Sequence, residues 1–195
     1  MLKVILNGLK PQAEKITAEE QAGFRAGKST TKQIFNVQIL YDKYLNHRQD
    51  LYHIIIDFKK DFNRVWHAAL WATMKKYNIS TNLIRIIKDL YNQATSAVLF
   101  NSSKGDWFGA TVGVRQGCLL SPTLFIIFLG RIITDASEDH EGTVSIEGRT
   151  IPNLRFTADI DGLAGKEEEL PKLVECSTKP LQPTAWRSVP RRPSW

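Results

Sequence analysis

Three acidic residues stand out because they lie in segments with the composition of buried β-strands. Asp57 directly follows the apolar, β-branched run Leu51–Ile56, and Asp159 and Asp161 lie two residues apart in a second such segment. Alternate residues of a strand face the same side, so these last two carboxylates share a face. A carboxylate at the end of a buried strand is costly unless it meets a cation, and Mg²⁺ prefers oxygen ligands. The alternative for Asp57 is a structural role, as a cap of the turn before the next helix.

A second candidate is the turn Arg115-Gln116-Gly117-Cys118, which leads into Ser121-Pro122 and an apolar helix. Glycine lets the backbone approach a ligand closely, Gln116 can hydrogen-bond a sugar or base edge, and Arg115 can meet a phosphate as a forked donor. The structural alternative is a turn that caps the helix, with Ser121 as N-cap and Pro122 at the first helical position. That alternative explains the Ser-Pro pair but not the residues before it.

A third candidate is the segment Gln21–Thr30, which contains Gly-Lys-Ser-Thr. A phosphate-binding P-loop needs a glycine five residues before its second glycine, but Ala22 stands there, and no apolar strand precedes the segment. The match to a P-loop nucleotidase is therefore poor. Arg25 and Lys28 either face phosphates or lie on a solvated basic turn.

These segments resemble the motifs of reverse transcriptases. Gly113–Pro122 resembles the template-gripping motif B, Leu51–Phe62 resembles motif A, and Leu154–Gly165 resembles motif C, the hairpin with the catalytic aspartate pair. The phrases Gly-Phe-Arg-Ala-Gly and Ile-Asp-Gly-Leu-Ala-Gly are most similar to enzymes of non-long-terminal-repeat (LINE-type) retrotransposons. The resemblance covers roughly residues 1–175.

The resemblance implies RNA-templated DNA synthesis by two Mg²⁺ ions, with Asp57 and Asp159 as catalytic residues and metal ligands. In the family pattern Phe-Ala-Asp-Asp the first aspartate bridges both ions, and Ala158 replaces it here. Losing that ligand should lower the rate on the order of a thousandfold, so this copy is expected to be inactive. The alternatives are a slipped hairpin in which Asp161 also reaches the ions, an active fragment completed by another chain, and a non-catalytic remnant that binds nucleic acid.

The resemblance also assigns the substrate contacts. Phe58 and Phe62 would belong to the nucleotide site, where the Phe62 ring would leave no room for a 2′ hydroxyl. Arg25 and Lys28 would face the nucleotide phosphates or the template backbone. The template and primer contacts would be Arg115, Gln116, Gly117 and Ser121. The implied partners are an RNA template, a DNA primer and deoxynucleotides.

The elements that must position these residues alternate between helix and strand patterns. Helices are predicted at 30–48, 65–77, 83–94 and about 122–136, and strands at 51–56, 96–100, 110–114, 143–146 and 150–156. Thr30-Thr31 is predicted to cap the first of these helices, and Pro11 to break the helical stretch 2–22. The order favours an α+β fold with helices on one face of an antiparallel sheet. The resemblance implies a right-hand polymerase palm with partial fingers and no thumb.

Composition limits what charge and targeting can explain. The net charge is +6, but residues 171–195 carry five Lys/Arg and one Glu, so residues 1–170 carry only +2. Charge is therefore weak evidence for phosphate binding. No apolar run is long enough to span a membrane, no signal peptide opens the chain, and two cysteines fit a reducing compartment. An intracellular location is expected.

We expect three regions along the chain: partial fingers over 1–50, a palm over 51–170 and a disordered Pro/Arg-rich tail over 171–195. Five of the eight prolines fall in the tail, which has almost no aliphatic periodicity. The resemblance implies a helix and a Tyr-Gly-Met-type strand in this region. A frameshift near Cys176 would explain their absence from the sequence.

Overall fold

A computed structural model describes residues 1–58, 60–137, 143–146, 148–172 and 174. These residues form two compact units: residues 1–16 with 60–128, and the described parts of 17–59 and 129–195. In the described ranges, no helix has both the length and the apolar character needed to cross a bilayer. The predicted disordered tail, 171–195, lies outside the described residues apart from 171, 172 and 174.

Among the described residues, five α-helices, nine short strands and two 3-10 turns have defined bounds, and residues 170–172 are also helical. The helices are α1 (Leu2–Ile16), α2 (Thr30–Asn46), α3 (His67–Lys76), α4 (Thr81–Asn92) and α5 (Ser121–Ser137). The strands are β1 (Tyr52–Ile56), β2 (Thr95–Ser96), β3 (Leu99–Phe100), β4 (Ser103–Lys104), β5 (Phe108–Gly109), β6 (Ser145–Ile146), β7 (Arg149–Thr150), β8 (Asn153–Phe156) and β9 (Asp159–Ala164). The 3-10 turns are Asp61–Arg64 and Glu167–Glu169. This mixture of helix and antiparallel strand agrees with the predicted α+β class.

The largest sheet lies in the second unit and has three antiparallel strands in the order β1-β9-β8. β1 pairs with β9 along its whole length, ending at Ile56↔Ile160. β8 and β9 form a hairpin whose last pair before the turn is Phe156↔Asp159. Three consecutive isoleucines in β1 suit a pleated, half-buried surface. This topology places the end of β1 beside the β8–β9 turn.

Helix α2 covers part of one face of this sheet. The buried cluster consists of Leu40, Tyr44, Val144, Leu154 and Leu163. The two members from α2 lie one turn apart, and the two from β8 and β9 lie on the same face of the sheet by their pairing register. On that face, Ile55 of β1 is 81% exposed. The helix therefore buries β8 and β9 more than it buries β1.

The cap of α2 differs from the predicted one. Thr30 was the predicted N-cap, but Ser29 has the extended backbone of a cap, and its hydroxyl accepts a hydrogen bond from Lys32 N–H. Thr30 is the first helical residue instead. Serine and threonine both cap helices well, so a run of hydroxyl residues does not by itself define the boundary.

In the first unit, α1 runs through Pro11 without a break, so the predicted interruption is wrong. Proline removes one backbone hydrogen bond and crowds the preceding turn. However, Ile5, Leu9 and Ala13 recur every four residues and are all buried. Burial of this continuous stripe on both sides of Pro11 stabilises the helix more than the lost bond destabilises it.

The segment before α5 contains shorter strands than predicted. The predicted strands at 96–100 and 110–114 are replaced by two small ladders, β2–β5 and β3–β4. Asn101 and Ser102 both have positive φ and connect β3 to β4, as in a type I′ hairpin turn. This tight turn pairs Leu99 and Phe100 with Ser103 and Lys104, so the end of the first predicted strand does not pair with the second.

We expect Leu163→Ala to lower the free energy of unfolding by about 2–5 kcal/mol, because it empties a fully buried position between α2 and the sheet. Ile55→Ala lies on the same face but is exposed, and should cost less than about 1 kcal/mol. Urea unfolding followed by circular dichroism measures both changes. Equal losses in the two variants would contradict the packing of α2 described above.

Candidate functional site

The end of β1 and the start of β9 bring two carboxylates together. Ile56 pairs with Ile160, while Asp57 follows Ile56 and Asp159 precedes Ile160. One further step along this antiparallel register puts Asp57 opposite Asp159, with both side chains on the same face. Both residues are exposed. The register thus brings together the strand ends that carry the two predicted metal ligands.

Thr157 and Ala158 form the two-residue turn between β8 and β9, which we call the motif C turn. Thr157 has a φ of 60°, the left-handed conformation of the first position in a type II′ turn, where glycine is usual. Ala158 is only 8% exposed. The residue that replaces the expected aspartate is therefore a small, buried apolar side chain next to Asp159.

The donors at this position fit one magnesium ion better than two. Asp57 and Asp159 offer oxygen ligands only, and Mg²⁺ is commonly held by one or two carboxylates while it keeps several waters. A pair of ions needs a bridging carboxylate, and the methyl group of Ala158 supplies no oxygen. Within the described ranges, no group of three or more His, Cys, Asp or Glu side chains is arranged to hold a metal.

Asp161 lies two residues further into the sheet and has a different partner. Its carboxylate oxygens lie 3.1 Å from Nδ1 of His53 on β1. Burial raises the pKa of Asp161, and the charge of His53 and its hydrogen bond act in the opposite direction. In the register found here Asp161 faces Ile55, not Asp57. His53 could not be singled out from the sequence, because only strand pairing brings it close to Asp161.

An apolar groove of about 460 Å³ borders the strand ends within the second unit. Ile34, Val37 and Tyr41 of α2 line one wall, and Ile55 and Phe156 line the sheet side together with Asp159 and Asp161. The surface next to the two carboxylates is therefore mainly hydrophobic.

Arg25 and Lys28 are bound to the segment 18–21. Nη1 of Arg25 donates to the carbonyl oxygens of Ala18 at 2.8 Å and Gln21 at 3.2 Å. Lys28 forms an ion pair with Glu19, and the hydrogen bond from Lys28 is the main cause of a lowered pKa of Glu19. Both cations thus have structural partners in the second unit.

The local geometry does not match a P-loop. Apart from a single-residue bridge at Gln21, the described residues 17–28 contain no strand. Ser29, which would bind a metal ion in a P-loop, instead caps α2. The strand–loop–helix arrangement of a P-loop nucleotidase is therefore missing here.

In the first unit, the backbone of 111–114 hydrogen-bonds to that of 62–67. Gly113 N–H donates to the Val65 carbonyl at 2.8 Å, and Nε2 of His67 lies 2.7 Å from the Gly113 carbonyl. Gly113 has a φ of 92°, and a Cβ there would crowd the backbone of Asn63. His67, which the sequence left without a role, thus fixes the approach to motif B.

Beyond this ladder, Arg115 and Gln116 are exposed, and Gly117 turns the chain with a φ of 78°. Ser121 is fully buried as the first residue of α5, and in the described residues its hydroxyl accepts no hydrogen bond from a backbone N–H of the helix. It therefore does not cap the helix, and the predicted capping role is wrong. Pro122 follows as the second helical residue, where its missing N–H leaves no bond unmade.

Packing holds the predicted sugar-contacting ring in place. Phe62 stacks on Phe125 of α5 with ring centroids 4.6 Å apart and an interplanar angle of 13°. Phe58, directly after Asp57, is half-buried. Phe62 and motif B belong to the first unit, whereas Asp57, Phe58 and the motif C turn belong to the second.

The family follows from a comparison with known protein families. A family model described as reverse transcriptase (RNA-dependent DNA polymerase) matches residues 1–177. This chain belongs to the reverse transcriptase family. The predicted resemblance is thereby confirmed.

The similar proteins with a described function are polymerases of transposable elements. The chain is 32% identical over 123 residues to a probable RNA-directed DNA polymerase from transposon X-element of Drosophila melanogaster, covering 60% of this chain and 13% of that protein. It is 27% identical over 130 residues to the polymerase from mobile element jockey of the same species, covering 66% and 14%. A Pol polyprotein from the R2 element of Nasonia vitripennis is 27% identical over 142 residues, covering 73% and 14%. The chain thus spans about a seventh of these non-LTR relatives.

Solved structures show the fold. Telomerase from Candida albicans, in complex with a fragment of telomeric RNA, matches with a TM-score of 0.71 and 11% identity over 93% of this chain and 32% of that chain. Apo telomerase from Candida Tropicalis matches with a TM-score of 0.71 and 16% identity, covering 93% and 34%. The chain therefore has the right-hand polymerase fold, and its described residues combine helices with antiparallel strands.

We expect Asp161→Asn to raise the free energy of unfolding at pH 7, because burial raises the pKa of this carboxyl above its usual 3.8. An acid whose pKa is higher in the folded state binds more protons there, so stability falls as the pH rises from 3.8 through the folded pKa. The variant lacks this loss, so its advantage should be full at pH 7 and vanish near about pH 3. Urea unfolding at both pH values measures the difference; an equal advantage at both would contradict the pKa shift.

Proposed function

We propose that this chain is the fingers-and-palm portion of a retrotransposon reverse transcriptase whose catalytic site has lost one metal ligand. The observation that carries the proposal is the pairing of Ile56 with Ile160, which leaves Asp57 and Asp159 at adjoining strand ends, with Ala158 in the turn beside Asp159. Residues 1–50 are the proposed fingers portion and 51–170 the proposed palm. RNA-directed DNA synthesis is the ancestral activity.

Asp57 and Asp159 are the proposed metal ligands. Bound Mg²⁺ ions would polarise the phosphoryl oxygens and activate the attacking hydroxyl. The contribution of the protein is to hold the two carboxylates on one face of the sheet, where opposite Cβ atoms are roughly 5 Å apart. Neither carboxylate is held by an ion pair in the described residues, so both are available to a cation.

The substitution at Ala158 is the reason to propose that this copy is inactive. Each tenfold in rate corresponds to about 1.36 kcal/mol of transition-state stabilisation. A ligand shared by two ions supplies several times that amount, so its loss should lower the rate on the order of a thousandfold. The methyl group of Ala158 has no oxygen and cannot take over this function.

The proposed substrate contacts come from residues of both units. Phe62, held flat against Phe125, is the proposed ring that excludes a 2′ hydroxyl, and Phe58 is a second nucleotide contact. In motif B, the exposed Arg115 and Gln116 are proposed to contact template and primer together with Gly117 and Ser121.

Arg25 and Lys28 are proposed to reach nucleotide phosphates or the template backbone. This role requires Lys28 to exchange its ion pair with Glu19 for a phosphate. Such an exchange is feasible at a partly exposed site, because surface ion pairs contribute little stability.

The proposed partners are an RNA template, a DNA primer and deoxynucleotides, and the proposed location is intracellular. A non-catalytic remnant that binds nucleic acid is the second candidate. The exposed Arg115 and Gln116 favour it, since neither depends on the missing ligand. The two candidates differ in whether restoring an aspartate at position 158 produces polymerase activity.

We expect almost no nucleotide incorporation by this chain on a poly(rA)/oligo(dT) substrate with Mg²⁺. Ala158→Asp should raise incorporation at least about tenfold, because it restores an oxygen ligand next to Asp159. Adding Asp57→Asn to that variant should return the activity to background. Primer extension with labelled dTTP measures all three proteins.

The matched control is Ala158→Asn, which has nearly the same size as aspartate but carries no charge. It should not raise incorporation, because a neutral amide is a poor Mg²⁺ ligand in this setting. If the unmodified chain already incorporates nucleotides well and Asp57→Asn abolishes this, the chain is an active polymerase and the proposal of inactivity is wrong.

A further inference from the structure

The side chain of Gln21 binds the motif C turn. Gln21 is only 3% exposed. Its Oε1 accepts hydrogen bonds from Thr157 N–H at 2.9 Å and from Gly23 N–H at 2.8 Å, and its Nε2 donates to the Thr157 carbonyl at 3.1 Å. One buried amide therefore satisfies both backbone polar groups of Thr157, as a neighbouring strand would.

The backbone on either side of Gln21 is aligned with β8. Ala22 N–H donates to the Arg155 carbonyl at 2.8 Å, and Arg155 N–H donates to the Glu20 carbonyl at 3.0 Å. Gln21 and Arg155 thus form a parallel bridge at the outer edge of β8. This short ladder places the Gln21 side chain next to the turn that follows β8.

Gly23 makes room for the turn. A Cβ at Gly23 would lie 2.3 Å from the backbone nitrogen and from Oγ1 of Thr157, and 2.8 Å from its Cα. Backbone atoms cannot move aside locally, so any side chain at position 23 must displace the motif C turn. Gln21 and Gly23 therefore act on Thr157 by attraction and by close fit.

Thr157 needs such support because its backbone conformation is unfavourable. A φ of 60° is uncommon for any residue with a side chain and is an outlier for a β-branched one. Strained conformations of this kind persist only where the surroundings determine them. The two hydrogen bonds between the Gln21 amide and the Thr157 backbone, with the close fit of Gly23, provide this support.

We propose that Gln21 and Gly23 are positioning residues that lock the motif C turn and so set the direction of residue 158 and Asp159 relative to Asp57. The support of the turn by Gln21 and Gly23 does not depend on metal binding. Its consequence for metal binding rests on the proposed function. The segment Gln21–Thr30, which was a candidate for phosphate contacts in the sequence, thus has a second proposed role in shaping the carboxylate site.

Amide hydrogen exchange tests the lock directly. The amides of Thr157 and Gly23 are bonded to the Gln21 side chain, whereas the Ala22 amide is bonded to the backbone. Gln21→Met should speed exchange of the first two at least about tenfold, because local opening no longer breaks these bonds. Exchange at Ala22 and at Leu163 in the core should change less than about threefold.

Gln33→Met is the matched control. The Gln33 amide donates to the carbonyls of Glu20 at 2.6 Å and Arg155 at 3.0 Å in the same region. It should leave exchange at Thr157 within about threefold of the unmodified chain. Equal acceleration by both variants, or none by Gln21→Met, would overturn the proposal.

Gln21→Glu covers the case in which Gln21→Met does not fold. Glutamate keeps the oxygen that accepts from Thr157 and Gly23 but loses the N–H that donates to the Thr157 carbonyl. If Gln21→Met folds, exchange at Thr157 should rise by a smaller factor in Gln21→Glu than in Gln21→Met. If Gln21→Met is unfolded, exchange at Thr157 in Gln21→Glu should still rise at least about threefold over the unmodified chain. If Gln21→Met is unfolded, unchanged exchange at Thr157 in Gln21→Glu would overturn the proposal.

The consequence for the site is tested by Mn²⁺ binding, followed by electron paramagnetic resonance in the Ala158→Asp background. Adding Gln21→Met should weaken Mn²⁺ binding at least about tenfold, as for supporting residues at other metal sites, and adding Gln33→Met should not. If Ala158→Asp itself binds no more Mn²⁺ than the unmodified chain, the proposed metal site fails while the exchange result still decides the lock. If binding is gained and Gln21→Met leaves it unchanged, the positioning role is wrong.

Discussion

The antiparallel register between β1 and β9 is the constraint on which the candidate site depends. Side chains alternate between the two faces of a strand, so a slip of one residue would turn Asp159 away from the face of Asp57. The same slip would turn Leu154 and Leu163 away from α2 and expose them. Burial of the core beneath α2 therefore fixes the spacing of the carboxylates, and the stability of the second unit and the geometry of the site have one cause.

The fold does not depend on an aspartate at position 158, which is the proposed position of a metal ligand. An aspartate at position 158 would bring a third carboxylate close to Asp57 and Asp159, and clustered like charges without a cation destabilise a folded protein. Alanine avoids that repulsion and fits the buried turn. The right-hand polymerase fold therefore does not require an aspartate at position 158, and likeness to telomerase structures shows the fold without showing activity.

Local sequence patterns predicted the fold class and the strands whose ends carry Asp57 and Asp159, and these strand ends lie next to each other. The patterns failed where neighbouring residues were chemically equivalent, as at Ser29 and Thr30, or where burial outweighed propensity, as at Pro11. They could not find contacts between distant segments: His53 meets Asp161 and Gln21 meets Thr157 only after the strands pair. The roles of Phe62 and motif B, and the boundaries of fingers and palm, stay predictions, because contacts within the protein do not test substrate binding.

Cysteine cross-linking measures the central claim most directly, because a disulfide joins residues whose Cα atoms lie about 4.4–6.8 Å apart, as opposite residues of an antiparallel pair do. Asp57→Cys combined with Asp159→Cys, in a background with Cys118→Ser and Cys176→Ser, should form an intramolecular disulfide under mild oxidation. Asp57→Cys combined with Asp161→Cys should form it far more slowly, since diagonal neighbours lie roughly 7–8 Å apart. No cross-link in the first pair, or a faster one in the second, would contradict the register on which the site rests.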